Sequence, residues 1–428
     1  MKRFLFWAVI VLCSSIVFGK SYSHADDEGE SINETELYAQ AAVLLDAESG
    51  RVLYDKNGNE KLPNASTTKI MTCILILEQA EPGEVAEVSH YAAAQPKVHL
   101  GVRAGDRFKL EDLLYSLMLE SHNDSAVILA EYVGARQLGM TDAAGQRKTE
   151  DSKQAVAAFS EMMNEKAREI GCLDTFFLTP NGLDAVKGEM RHGTTAVDLA
   201  RIMAYCVKMS PMKDAFLRIT QTRSYQFMNE ERTRSFTCTN HNAFLDMMSG
   251  VLSGKTGFTN SAGYCYVGAL QRDDRTYTIA LLACGWPNHK TYKWSDSRKL
   301  FEYGIEYYRY REFMPTPSIE PLVVENGQAE DQNPYHTVSI MPQMETQPIF
   351  RILCCEQESM CVETEYRSKL NAPVRRGDSL GCLNYYFVTS KGEKILWERV
   401  ALTAGENVDA KDAGYAFRYL LHEFFLFN

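Results

Sequence analysis

The stretch NASTTKIMTCILILE, residues 64 to 78, decides how the rest of the chain is read. It opens on small and hydroxylic residues and then turns apolar, as a helix does when its start faces a polar site and its body is buried. Ser66 and Lys69 stand three apart, so on a helix they share one face. A serine hydroxyl is a weak nucleophile until a neighbouring base takes its proton. Lysine serves as that base when burial and nearby cations lower its pKa. The spacing is not diagnostic alone, because Ser210 and Lys213 repeat it at a helix boundary.

Two further elements narrow the reading. In KLEDLLYSLMLESHNDSAVILAEYV, apolar residues at helical spacing flank Ser121-His122-Asn123, which predicts helix, loop, helix. Lys255-Thr256-Gly257 occurs once, 134 residues beyond Ser121, at the start of a predicted strand. Ser-x-x-Lys, Ser-x-Asn and Lys-Thr-Gly in this order form the set described for class A β-lactamases and penicillin-binding proteins. Ser31-Ile32-Asn33 matches the middle element by chance, in a polar leader.

From about Ala41 to Tyr308 the chain resembles the D-alanyl-D-alanine carboxypeptidases, the low-molecular-weight penicillin-binding proteins of serine peptidase type. AAVLLDAESGRVLY looks like the family's first hairpin, and NASTTKIMT is similar to its nucleophile segment. LGVRAGDRFKLEDLLYSLMLESHNDSAVILAE, TNHNAFL and GKTGFTNSAGYCYVGAL resemble the segments that bring in the other two motifs. The resemblance implies an α/β (α+β) catalytic domain of β-lactamase/transpeptidase type, with an antiparallel sheet flanked by helices. A small all-β domain and a C-terminal amphipathic helix would follow it. It implies Ser66 as acylated nucleophile, Lys69 as its base and Ser121 as proton relay. Asn123, Lys255, Thr256, Gly257 and Phe258 would bind substrate, the last through its main-chain N–H in an oxyanion hole with that of Ser66.

Two positions depart from the family's usual pattern. Phe258 stands where histidine is common, which keeps the N–H and makes the pocket more apolar. His122 stands where glycine is common, and reads as a solvated loop histidine. His192, His241 and Asp184 invite a Ser/His/Asp reading, but no GxSxG elbow accompanies them, so the histidines read as structural.

The bulk composition agrees with an exported enzyme. Lys2 and Arg3 precede the apolar run Phe4 to Phe18, and Ser23-His24-Ala25 fits a small-x-small cleavage site, so residues 1–25 read as a signal peptide. Losing its three cations takes the net charge from −11 to −14, with no basic stripe for nucleic acid. Residues 26–38 read as a flexible acidic leader, 39–313 as the catalytic domain, 314–408 as the all-β domain and 409–428 as a membrane-associating helix. Residues 134–158 read as an exposed polar insertion, and WSDSRKLFEYGIEYYRYREF as a closing helix.

Ten cysteines remain after the signal, most inside apolar stretches, where they read as small buried hydrophobes. Disulfides are the alternative in an oxidising compartment, and no ligand spacing supports a metal. The resulting expectation is a cofactor-free, metal-free D-Ala-D-Ala carboxypeptidase at the outer face of the cytoplasmic membrane. Its partners would be peptidoglycan stem peptides ending in D-Ala-D-Ala, β-lactam inhibitors and a membrane surface. The alternatives are a class A-like β-lactamase, against which Glu161 and Asn164 have the wrong offset for a deacylating pair, and a non-catalytic penicillin or peptidoglycan sensor.

Overall fold

The computed structural model of the chain describes residues 32–331 and 333–426; the signal-peptide reading lies outside these. The chain divides into two compact units, one up to Glu306 and the other from Tyr307 on.

The first unit is built on a five-stranded antiparallel sheet. Strand β1 (Ala41–Asp46) and β2 (Val52–Lys56) form the hairpin expected around Glu48-Ser49-Gly50. β3 (Val251–Thr259), β4 (Gly263–Arg272) and β5 (Arg275–Leu282) complete the order β2-β1-β5-β4-β3. β1 and β5 are buried along their whole length, which is why AAVLLD and RTYTIALL read as runs rather than alternating strands. β3 lies at an edge, so it pairs with β4 on one side only.

Helix α1 (Lys69–Gln79) is buried from Lys69 through Ile76 and forms the centre of a helical layer with α2 (Asn123–Gln137) and α3 (Thr149–Ile170). Each fully buried Ile or Leu there stabilises the fold by about 1.5–3 kcal/mol. Helix α4 (Ala196–Ala204) meets the sheet through Thr278, whose hydroxyl donates to the Ala200 carbonyl at 3.0 Å. Helix α5 (Tyr292–Tyr307) is fixed by Tyr277, whose hydroxyl donates to the Gly304 carbonyl at 2.7 Å.

Among the described residues, the regular elements of the second unit are strands apart from its last helix. Ser379–Val388 and Lys394–Ala404 form its longest hairpin, and two small cores fill it, one around Val324, Ile340 and Leu380 and one around Phe350, Leu383 and Phe387. Helix α6 (Ala413–Leu426) starts with its Tyr415 N–H donating to the Asp412 carboxylate at 2.6 Å. Tyr415 is buried, while Phe417, Leu420, Leu421, Phe424 and Phe425 are exposed. Among the described residues no helix is long and apolar enough to cross a membrane.

Four expectations need correction. The closing helix stops at Tyr307, and Arg309–Phe313 is a strand paired with Phe350–Cys354; its alternating charges and rings suited either period. The leader is docked from Asn33 on: Leu37 is buried, and Lys56 Nζ donates to the Glu34 and Leu37 carbonyls. Residues 134–158 are not a simple exposed insertion, since Gly134, Ala135, Arg147, Ser152, Ala155 and Val156 are buried. Finally, His122 is buried rather than solvated. The ten cysteines are free thiols, seven of them buried.

The docking of 134–158 has an electrostatic cause. Glu131 on α2 is buried and accepts hydrogen bonds from Arg147 Nη1 at 2.9 Å, Ser152 Oγ at 2.7 Å and Ser89 Oγ at 2.5 Å. Removing one partner of a buried pair strands the other's charge, at a cost of about 3–5 kcal/mol. Arg147→Met should therefore lower unfolding stability in urea by about 3 kcal/mol. A loss under about 0.5 kcal/mol would show that this pair does not hold the segment down.

Candidate active site

Ser66 sits in a one-turn 3-10 segment, Ala65–Thr68, that leads directly into α1. The turn satisfies its own polar groups: Thr67 Oγ1 donates to the Asn64 carbonyl at 2.7 Å, and Thr68 Oγ1 to that of Ala65 at 2.8 Å. Asn64 Nδ2 donates to both threonine hydroxyls. His192 braces it from outside. Its Nδ1 accepts the Leu178 N–H at 3.0 Å, so Nε2 carries the proton and donates to Thr68 Oγ1 at 2.9 Å. Burial lowers the His192 pKa to about 4, so the ring stays neutral. This histidine is structural, and His241 is exposed, paired with Glu120.

Lys69 is completely buried. Its Nζ lies 2.9 Å from Ser66 Oγ, 2.9 Å from Asn123 Oδ1 and 2.6 Å from the main-chain oxygen of Asn181. Burial pushes its pKa well below the ordinary lysine value; the Lys255 charge pushes the same way, and Asp124 opposes them. A neutral amine has two N–H donors and one lone pair. As an ammonium, Lys69 donates to all three oxygens; in the neutral form Asn123 and Asn181 would keep the two donors and the lone pair would face the serine hydroxyl.

Ser121 and Asn123 come from the break between two helices. Helical turns run from Leu110 to Glu120, ending in wide π-type turns over Ser116–Glu120. Ser121 then adopts a left-handed conformation, φ 66°, and Asn123 begins α2. His122, between them, holds the break in shape: its Nδ1 lies 2.8 Å from Ser116 Oγ, which also bonds Ser125 Oγ at 2.7 Å. Burial lowers its pKa.

Lys255 reaches Ser121 Oγ at 2.9 Å from the edge strand β3. Burial lowers its pKa to about 7. Gly257 is required by a close approach. A Cβ there would lie 3.0 Å from both the Asn64 carbonyl oxygen and the Ser66 nitrogen. Thr256 is half-buried, and Phe258 is exposed, its ring 4.7 Å from that of Tyr264.

The structure thus gathers two hydrogen-bonded groups, Ser66, Lys69 and Asn123 in one and Ser121 and Lys255 in the other, close enough for the Lys255 charge to act on Lys69, with Gly257 against the turn at Ser66. Asn181 and Gly182 are the residues that sequence reasoning missed. Gly182 has φ +82°, and a Cβ on it would fall 1.9 Å from the Ala65 carbonyl oxygen. They lie in TPNGLD, readable only as a loop, and Asn181 acts through its main chain at a separation of 112 residues from Lys69. Among the described residues no group of three His, Cys, Asp or Glu side chains is placed to hold a metal ion.

A serine beside a buried lysine in a helical domain closed by an antiparallel sheet is the arrangement of a serine acyl-transfer enzyme. The sequence pattern of the D-alanyl-D-alanine carboxypeptidase family matches residues 28–145 and 151–283, and the chain belongs to that family. It is 25% identical to the D-alanyl-D-alanine carboxypeptidase DacF of Bacillus subtilis over 97% of this chain and 96% of that one. It is 28% identical to the D-alanyl-D-alanine carboxypeptidase DacB2 of Mycobacterium tuberculosis, over 62% of this chain and 82% of the relative. The crystal structure of the D-alanyl-D-alanine carboxypeptidase DacD of Francisella tularensis shares the fold over 92% of this chain and 98% of its own. Its TM-score is 0.63, at 19% identity.

With Lys69 expected as base and Lys255 as carboxylate-binding cation, the two lysines should set the pH response. A base must be neutral, so reaction at Ser66 should fall as pH drops through the depressed pKa of Lys69. A carboxylate-binding cation must be charged, so reaction should also fall as pH rises through the Lys255 pKa of about 7 in the free enzyme. We expect a bell-shaped kcat/KM profile. Lys255→Arg keeps its charge throughout and should lose the alkaline limb while retaining the acid one; an unchanged alkaline limb would assign it to another group.

Proposed function

We propose that the chain is an exported serine-type D-alanyl-D-alanine carboxypeptidase that trims the terminal D-alanine from peptidoglycan stem pentapeptides. The observation that carries this reading is the Lys69 amine, 2.9 Å from Ser66 Oγ and buried, with two other oxygens taking its protons. Ser66 attacks the carbonyl of the penultimate D-alanine and its proton passes to Lys69. The C–N bond breaks as Ser121, linked to Lys255, relays a proton to the leaving amine. Water then hydrolyses the ester. Lys255 and Thr256 hold the terminal carboxylate, and Asn123 holds a peptide group of the substrate. The N–H groups of Ser66 and Phe258 take the developing oxyanion. Gly257 lets substrate backbone lie along the free edge of β3, and the Phe258 ring adds an apolar rim.

A β-lactamase of class A type needs an asparagine amide free to hold the hydrolytic water. Asn164 is buried and tied to the main chain at both ends instead: its Nδ2 donates to the Phe177 carbonyl and its Oδ1 accepts the Phe177 N–H. A sensor without catalysis would not need a buried amine held against Ser66 together with a second lysine held on Ser121. β-Lactams, which carry a strained amide and a carboxylate, inhibit by acylating Ser66.

Helix α6 supports a membrane-surface reading of the C-terminus. Phe417, Leu420, Leu421 and Phe424 form an exposed i, i+3, i+4, i+7 stripe, too short to span a bilayer and suited to its interface. Phe427, also expected on this face, lies outside the described residues. Lys411 Nζ donates to the Pro334 and His336 carbonyls, and Arg418 is the other strong cation, so attachment depends on the apolar face and survives moderate salt.

After penicillin treatment, intact mass should rise by one adduct on the peptide holding Ser66. An adduct that persists in Ser66→Ala would refute the assignment, and Lys69→Ala should slow acylation by ~10²–10⁴-fold. For the helix, a chain ending at Ala416 keeps Tyr415 in its buried seat against Ala329. It should move from the membrane to the soluble fraction with D-alanine release from a soluble peptide nearly unchanged. Retention on membranes would place the contact elsewhere.

A further inference from the structure

A second concavity adjoins the Ser66 site, and the chemistry at Ser66 does not use it. It is a cavity of about 320 Å³ between the Tyr91–Gln95 segment, helix α3 and the loop 178–184. Val127, Val156, Ala157, Leu178 and Leu183 give it an aliphatic wall, and Lys153 and Asp184 are its two charged lining residues. Asn181 belongs to both sites. Its main-chain oxygen accepts from Lys69, while its side chain lines the cavity and donates to Gln95 Oε1 at 3.3 Å. The Asn181 main-chain oxygen lies 3.5 Å from Ser66 Oγ, and an extended chain advances ~3.3–3.6 Å per residue, so the side chain of the residue just before an acylated D-alanine is on the scale needed to reach past Asn181 towards the cavity.

The charges are available to a ligand. Lys153 bonds Glu150 at 2.8 Å on the same helix, with side chains 50% and 76% exposed. Such exposed pairs are weak, so an incoming carboxylate can replace Glu150. Asp184 is exposed and accepts the Thr259 hydroxyl at 3.2 Å.

Resting on the carboxypeptidase reading above, we propose that this cavity selects the third residue of the stem peptide, the one preceding D-Ala-D-Ala. It favours an aliphatic diamino acid whose side chain ends in both an ammonium and a carboxylate. The methylenes lie on the aliphatic wall, the ammonium faces Asp184 and the carboxylate faces Lys153. A side chain ending in an amine alone makes no contact with Lys153, which stays paired with Glu150.

The test compares three pentapeptides that differ only at the third residue: meso-diaminopimelate, its side-chain amide and lysine. The full chain should release D-alanine from the first with a kcat/KM about three- to fivefold above the other two, the upper end of what one partly exposed charged contact gives. Lys153→Glu should reverse the order, and Lys153→Ala should bring all three within about twofold. Penicillin acylation, which involves no such side chain, should be unchanged in both variants and so reports an intact site. Equal turnover of the three peptides by the unaltered chain, or a preference that survives Lys153→Glu, overturns the proposal. Absence of both D-alanine release and penicillin acylation in the unaltered chain would instead overturn the carboxypeptidase reading.

Discussion

The burial of one lysine amine governs this molecule. Lys69 has no exposed surface, and an ammonium in such a place is costly unless oxygens surround it. Three oxygens do so, from the nucleophile turn, the start of α2 and the loop at Asn181. The same burial that makes the charge expensive lowers the pKa, which is what the proposed role as base requires. Each oxygen comes from a different part of the chain, so the helical layer must be assembled before the amine has its partners.

The rest of the first unit serves that arrangement. An apolar sheet buried along β1 and β5 supplies a rigid base, and β3 stays at its edge with one side of its backbone unpaired by strand. Gly257 brings that edge against the turn at Ser66, and Gly182 brings the Asn181 loop against Ala65 from another direction. A methyl group at 182 would collide with main chain and one at 257 would crowd it, and main chain cannot swing away as a side chain can. Asp124 adds a further tie, its carboxylate accepting the Leu100 and Gly101 N–H groups at 2.9 Å, next to the residue that holds Lys69.

The second unit has a different logic. Its two small cores carry strands whose outer faces are polar, and its terminal helix touches them through Tyr415 while a row of large apolar residues remains outside. Exposed apolar residues repeated at helical spacing are the feature on which the proposed membrane-surface role rests. No comparable stripe is needed for folding, since Tyr415 alone is buried among the side chains described in that helix.

Local pattern alone was enough for much of this. The hairpin at Ala41–Lys56, the helix after Ser66, the break at Ser121 and the strands at Gly263–Leu282 follow from periodicity and turn residues, which act over a few positions. The spacing of Ser66 and Lys69 was legible because one helical turn links them. Where two periods fit one segment, as at Arg309–Phe313, pattern failed, and pairing with Phe350–Cys354 decided for strand. Polarity misled at 134–158, because Arg147 is charged yet buried against Glu131, and at His122, whose ring is spoken for by Ser116. Asn181 was beyond reach for a deeper reason: it contributes a main-chain oxygen, which every residue has, so its identity carries no signal of the contact. What the sequence by itself determined was which side chains have the chemistry and which local elements hold them. Only the tertiary structure decided the depth at which Lys69 lies and the backbone oxygens that meet it, because burial and main-chain contacts between distant segments exist only once the chain has packed.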